Sequence, residues 1–170
     1  MFSLIITIIS IALVAALAVA TLYYGGSAFT EGTTQANASG VINQAQQVGG
    51  GATLFTVRNA GDHPVEGVDG VQELADDDYL SSIPAPAADI TDDAWEMGGP
   101  EGEQGFVHIT GLGSTEDGPS AVCAAINEEA GVDEEDASSV TFGEGADLLD
   151  TDHGALPYAC DENGVFAYSY

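Results

Sequence analysis

The sequence predicts an α+β protein, a long N-terminal helix followed by a head built on an antiparallel sheet. Three stretches predict it. Residues 1–24 are uncharged and almost wholly apolar. Small and apolar residues then recur at helical spacing as far as Val48. The chain closes on a short turn between two β-rich segments, 158–160 and 165–170.

The first segment, MFSLIITIISIALVAALAVATLYY, forms a helix about 35 Å long, enough to cross a bilayer. It is apolar on every side, so it requires lipid or a surround of other protein. It has no basic n-region and no clear small-residue cleavage site, and its apolar run exceeds that of a signal peptide. The expectation is a retained segment. Met1, Phe2, Leu4, Ile5, Ile8, Ile11, Ala15, Val19 and Leu22 then belong to a membrane or filament core. Ala12, Ala15, Ala16, Ala18 and Ala20 are small enough for close helix approach.

Gly25 and Gly26 follow. Each costs about 1 kcal/mol against alanine in a helix interior, so this joint is the expected break in the long helix on assembly. The alternative is a continuous helix that tolerates both. Ala28, Phe29, Gly32, Ala36, Gly40, Val41, Ala45 and Val48 then make a narrow stripe that predicts an amphipathic half-helix over 27–50. Gly49, Gly50 and Gly51 are expected to stop it. The chain thus divides into an N-terminal helix, 1–50, and an acidic head domain, 51–170.

In the head, 53–57 (TLFTV) is β-branched and aromatic and reads as a strand. Residues 71–80 predict a short helix and 83–86 (IPAP) an extended run. Residues 95–97 and 105–112 (GFVHITGL) read as strands on either side of the turn-rich GGPEGE. A proline near its start and Gly131 as a stop mark 119–130 as a helix, with Val122, Ala125 and Ile126 on one face. An acidic loop (DEEDAS) and a strand over 139–142 come next. The terminal hairpin turns on DENG, with Phe166, Tyr168 and Tyr170 on one face. No internal repeat is visible.

The chain carries 28 Asp and Glu against one basic side chain, Arg58. That excludes nucleic-acid binding, because phosphates are repelled and no cationic patch exists. No Lys or Arg flanks the apolar segment, so a positive-inside signal is also missing. So acidic a surface suits a high-salt medium, with plain solubility charge as the alternative. Cys123 and Cys160 lie far apart in a chain with an export-type N-terminus. They read as one disulfide more readily than as metal ligands, since neither belongs to a Cys-x-x-Cys pair.

His63, His108 and His153 are scattered and have no legible catalytic partner. Ser114, Ser120 and Ser138 lack a nucleophile-elbow context. Neither an enzyme nor a cofactor is predicted. The acidic runs 76–78, 133–136 and 147–152, and the turn Asp161-Glu162-Asn163-Gly164, offer oxygens of the kind calcium takes. None has a full calcium-loop spacing, so solvated acidic faces are the expectation. Asn37-Ala38-Ser39 is an N-glycosylation sequon.

The uncharged, tyrosine-tipped first helix, its amphipathic continuation to about Val48, AVCAAINEEAG around Cys123 and ACDENGVFAYSY around Cys160 belong to one pattern. With them the whole chain resembles a type IV pilin of the type IVb kind. The resemblance implies a structural subunit of an extracellular helical filament, a homopolymer. The N-terminal helices would form its core and the heads its shell. Before assembly the subunit would sit in the inner membrane and be handled by a pilus assembly machinery. The resemblance also implies that Met1 is the mature N-terminal residue and that Gly25 and Gly26 stand where a proline often interrupts the helix; no proline precedes Pro64. One departure concerns the glutamate usual at the fifth mature position. Here that position is Ile5, or Ile6 if Phe2 comes first, and no acidic residue precedes Glu31. The competing reading is a membrane-anchored extracellular binding or adhesion module that does not polymerise. An anchored hydrolase ranks below both for want of a catalytic constellation.

Overall fold

The computed structural model describes residues 2–86, 90–100, 104–112, 120–143 and 149–170, with side chains omitted over 24–28. Met1 and Ser114 lie outside these residues. The chain divides into two compact units, Met1–Thr34 and Gln35–Tyr170. It is α+β, with an apolar N-terminal helix and a later antiparallel sheet.

Helix α1 runs Phe2–Arg58. Both Gly25 and Gly26 are helical in this single chain, so the joint expected to break on assembly is closed here. The helix also passes through Gly49, Gly50 and Gly51, which corrects the expected stop near residue 50 and the strand over 53–57. Burial explains the correction. Ala38, Val41, Ile42, Ala45, Val48, Ala52 and Phe55 are all buried and, apart from the adjacent Val41 and Ile42, spaced three or four apart, so the apolar stripe continues past the glycines. A β-rich composition loses to a register that keeps Ala52 and Phe55 in the core. Of the earlier stripe, Phe29, Gly32 and Ala36 are exposed.

Gly49 and Gly51 are close-approach points. A Cβ on Gly49 would lie 2.7 Å from the Tyr168 ring, and one on Gly51 would lie 3.0 Å from Leu80. Gly50 faces open space.

The second unit adds α2 (Val68–Asp76), β1 (Glu96–Met97), β2 (Phe106–Ile109), α3 (Ala121–Ala130), β3 (Asp150–Thr151), β4 (Gly154–Ala155), β5 (Tyr158–Cys160) and β6 (Phe166–Ser169). Four strands make one antiparallel sheet in the order β1-β2-β6-β5. Its register pairs Met97 with Val107, Ile109 with Phe166, and Cys160 with Phe166. Alternation then sorts the side chains. Val107, Ile109, Phe166 and Cys160 join α1, α2 and α3 residues in one cluster. Phe106, Ala159 and Ala167 join Val132, Ala137, Val140 and Leu149 in another. The sheet is therefore covered on both faces, which is why every residue of β2 is buried, His108 included.

Residues 139–142 are not a strand, contrary to expectation. Their polar groups are satisfied singly: the Val140 carbonyl accepts from Glu162 N–H, and Thr141 N–H donates to Asp152. The β3–β4 hairpin went unread in the sequence because its paired residues number two per strand.

Candidate functional site: an exposed apolar helix and a clamped head

Every described side chain from Phe2 to Tyr23 is exposed. This segment has 22 residues and a mean hydropathy of 2.8, long and apolar enough to cross a membrane. Phe2, Leu4, Ile5, Ile8, Ile11, Ala15, Val19 and Leu22 are distributed around the helix and no protein group in the first unit covers them. Helical geometry disposes of three of the segment's hydroxyls. Thr7 Oγ1 donates to Leu4 O at 2.9 Å, Ser10 Oγ to Ile6 O at 2.8 Å, and Thr21 Oγ1 to Ala18 O at 2.9 Å. With each of these hydroxyls turned onto its own helix, the segment offers an apolar solvent little that needs water.

In the second unit a covalent and a polar link hold α3 against β5. Cys123 and Cys160 form a disulfide, as the sequence predicts, across a separation of 37 residues. Ser120 caps α3 by accepting from Cys123 N–H at 3.0 Å. Gly131 ends it at φ 107°, the left-handed region that glycine occupies without a Cβ clash. One turn beyond the cysteine, buried Asn127 donates to Ala137 O and to Cys160 O, each at 2.7 Å. Its Oδ1 accepts from Cys160 N–H at 2.8 Å. Asn127 thus answers both backbone groups of Cys160 that β6 leaves unpaired on this sheet edge. Nothing singled out Asn127 in the sequence: an asparagine inside a helix signals little until its neighbours are known.

Several acidic and histidine residues serve local structure. Asp161 accepts from Asn163 N–H at 3.0 Å and Val165 N–H at 2.8 Å, holding the DENG turn. The Thr141 N–H donated to Asp152 holds that carboxyl below the usual range, with His153 adding to it. His108 Nδ1 sits 2.8 Å from Gly98 O. His63 Nδ1 is 3.4 Å from the Tyr170 hydroxyl. Burial pushes Tyr170 up to about 12, and burial with nearby Glu129 raises Tyr158. Among the described residues no group of three or more His, Cys, Asp and Glu is arranged to hold a metal. Asn37 is half-buried and helical, and Ser39 Oγ of its sequon donates to Glu129 at 3.3 Å. A helical setting is not the surface loop in which such sequons are usually modified.

Compared with protein families, curated proteins and solved structures, the chain matches none.

Proposed function

We propose that the protein is the structural subunit of an extracellular filament of the type IV pilus kind. The observation that carries this reading is the exposed, uncharged apolar helix Phe2–Tyr23 in a chain that also carries a folded, disulfide-linked, strongly acidic unit. Apolar surface on every side of a helix is favourable only in lipid or among other helices. Insertion in the inner membrane before assembly satisfies it in the first way. Packing with other copies in a filament core satisfies it in the second, and Ala12, Ala15, Ala16 and Ala18 permit backbones to approach there. The partners are copies of this chain, the membrane and a pilus assembly machinery. The reading requires no cofactor and no catalysis. The acidic composition suits a shell that works in a high-salt medium.

Negative-stain microscopy of material shed from expressing cells tests the reading. Regular fibres are the expected result. Ala15→Trp should leave the helix apolar enough for membrane insertion yet block close helix approach, so fibres are lost while the membrane-bound pool remains. A wild-type chain that stays monomeric in the membrane and yields no fibres would overturn the proposal in favour of a non-polymerising binding module.

A further inference from the structure

Arg58 is the chain's single Lys or Arg side chain. It ends α1 and is exposed. Among the described residues no carboxylate forms an ion pair with it, although the chain holds 28 Asp and Glu. Its guanidinium lies 5.6 Å from the centroid of the Tyr79 ring, which stacks edge-on against buried Phe55. The head of the side chain is therefore steadied by an aromatic and left with its donors outward.

Its surroundings differ from the rest of the surface. Leu54, Val57 and Arg58 stand at i, i+3 and i+4 and share one face of the last turns of α1. Val57 is 74% exposed and Leu54 48%, while Phe55, which flanks this face next to Arg58, is buried. An exposed apolar pair beside a lone arginine has the composition of an interface core, in which Arg is enriched and acidic residues are depleted. Every other side chain that carries a formal charge at neutral pH is negative.

We infer that the Leu54–Val57–Arg58 face docks onto an acidic surface of a second copy of this chain, with Arg58 pairing with that copy's carboxylates. Charge chooses the occupant and the geometry. Two such faces packed together would leave both guanidinium groups without a carboxylate, so an acidic surface is the better match. A contact between this face and a different, acidic patch is heterologous, and a heterologous contact that does not close into a ring propagates as an open helical filament. The neighbouring apolar side chains exclude water from the pair, which strengthens it relative to an exposed ion pair. The inference rests on the filament reading and names a contact between heads that the apolar helix alone does not supply.

The test compares fibre yield from wild type, Arg58→Lys, Arg58→Gln and Arg58→Glu across a sodium chloride series. A parallel thermal melt of each chain in neutral detergent reports whether the fold survives. The expected result is a loss of fibres of about tenfold or more for Arg58→Glu at low salt, a smaller loss for Arg58→Gln, and partial retention for Arg58→Lys. The melting temperatures should stay close to wild type. The salt concentration needed for assembly should rise in the order wild type, Lys, Gln, Glu. Should Arg58→Glu fail to fold, Arg58→Gln carries the comparison, since it keeps the stem and removes only the charge. Wild-type fibres together with equally abundant Arg58→Gln and Arg58→Glu fibres of unchanged salt dependence would overturn the inference and leave the filament reading intact. No fibres from wild type would overturn the filament reading itself.

Discussion

Asn127 is the residue whose loss should matter most outside the disulfide. Its side-chain amide makes three buried hydrogen bonds, two of them to Cys160 backbone groups on the edge strand β5. Alanine there leaves those groups without partners in a site where water is excluded. Asn127→Ala is expected to cost about 2–4 kcal/mol, read as a fall in denaturant midpoint at constant slope. Asn127→Asp keeps the shape but turns acceptors toward two carbonyls, so it should be no better than alanine at neutral pH. A change below about 0.5 kcal/mol in both variants would mean the clamp contributes nothing net. Tyr170 gives a second prediction at this scale. Burial raises its hydroxyl to about 12 from an ordinary value of 10.0. The folded chain therefore holds this proton more tightly than the unfolded chain does. The stability it contributes is complete below pH 10 and is lost as pH rises through about 12. Alkaline absorbance titration of the folded protein should show a late tyrosinate step that Tyr170→Phe removes. Tyr170 was legible as part of the Phe166–Tyr168–Tyr170 face of the terminal hairpin, whereas its burial and the role of Asn127 were not. Asn127 acts through Cys160, 33 positions away, and Tyr170 packs against α1 at Gly49, and periodicity carries no information across such spans.

Among the elements, α1 shows best where sequence reasoning succeeds and where it fails. The spacing of Val41, Ala45 and Val48 was readable because one face of a helix is buried and the pattern has the helix's own period. The glycine run after it was misread because glycine has two uses: it ends helices, and it lets another element approach a helix closely. Only the packing partner tells them apart, and that partner is Tyr168 of β6, more than a hundred residues later. The distinction is testable by paired substitution. Gly50→Ala meets nothing within 4 Å and should stabilise the second unit by about 0.5–1 kcal/mol through helix propensity. Gly49→Ala would place its methyl group 2.7 Å from the Tyr168 ring and should destabilise by about 1–3 kcal/mol. Equal melting temperatures for the two variants would show that the glycines are not packing contacts. The same ambiguity applies to Gly25 and Gly26, which are helical in the single chain. The sheet was more legible. The terminal hairpin and the strands expected at 95–97 and 105–112 rest on local composition, and they survive, shortened, in β1, β2, β5 and β6.

At the scale of the whole molecule two terms oppose each other. The formal net charge is −27 at pH 7, and Phe2–Tyr23 is uncharged and fully exposed. The first keeps copies apart, whereas burial of the second draws them together or into lipid. Both features are plain from composition, because net charge and long apolar runs do not depend on the fold. Repulsion within the acidic unit should make stability depend on salt. The screening length falls from about 30 Å at 0.01 M to about 3 Å at 1 M, so raising sodium chloride removes most long-range repulsion. The melting temperature in neutral detergent is expected to climb steeply up to a few tenths molar and then level off. Salting-out of apolar surface would also raise it, but that effect follows the identity of the anion and continues to high concentration. Chloride and sulfate series matched for ionic strength therefore separate the two, and the early rise should coincide in both. Acid supplies an independent check. The sequence isoelectric point is near 4.1, so approaching it neutralises carboxylates and should flatten the salt dependence. At that pH the chain loses repulsion but also begins to lose carboxylate contacts, and the stability that Asp152 gains from Thr141 N–H falls away as pH drops through its lowered value. Its melting temperature at high salt should therefore be lower at pH 4 than at pH 7, even as the response to salt disappears. A melting temperature that ignores sodium chloride at pH 7 would show that this density of carboxylates carries no net repulsion in the folded chain.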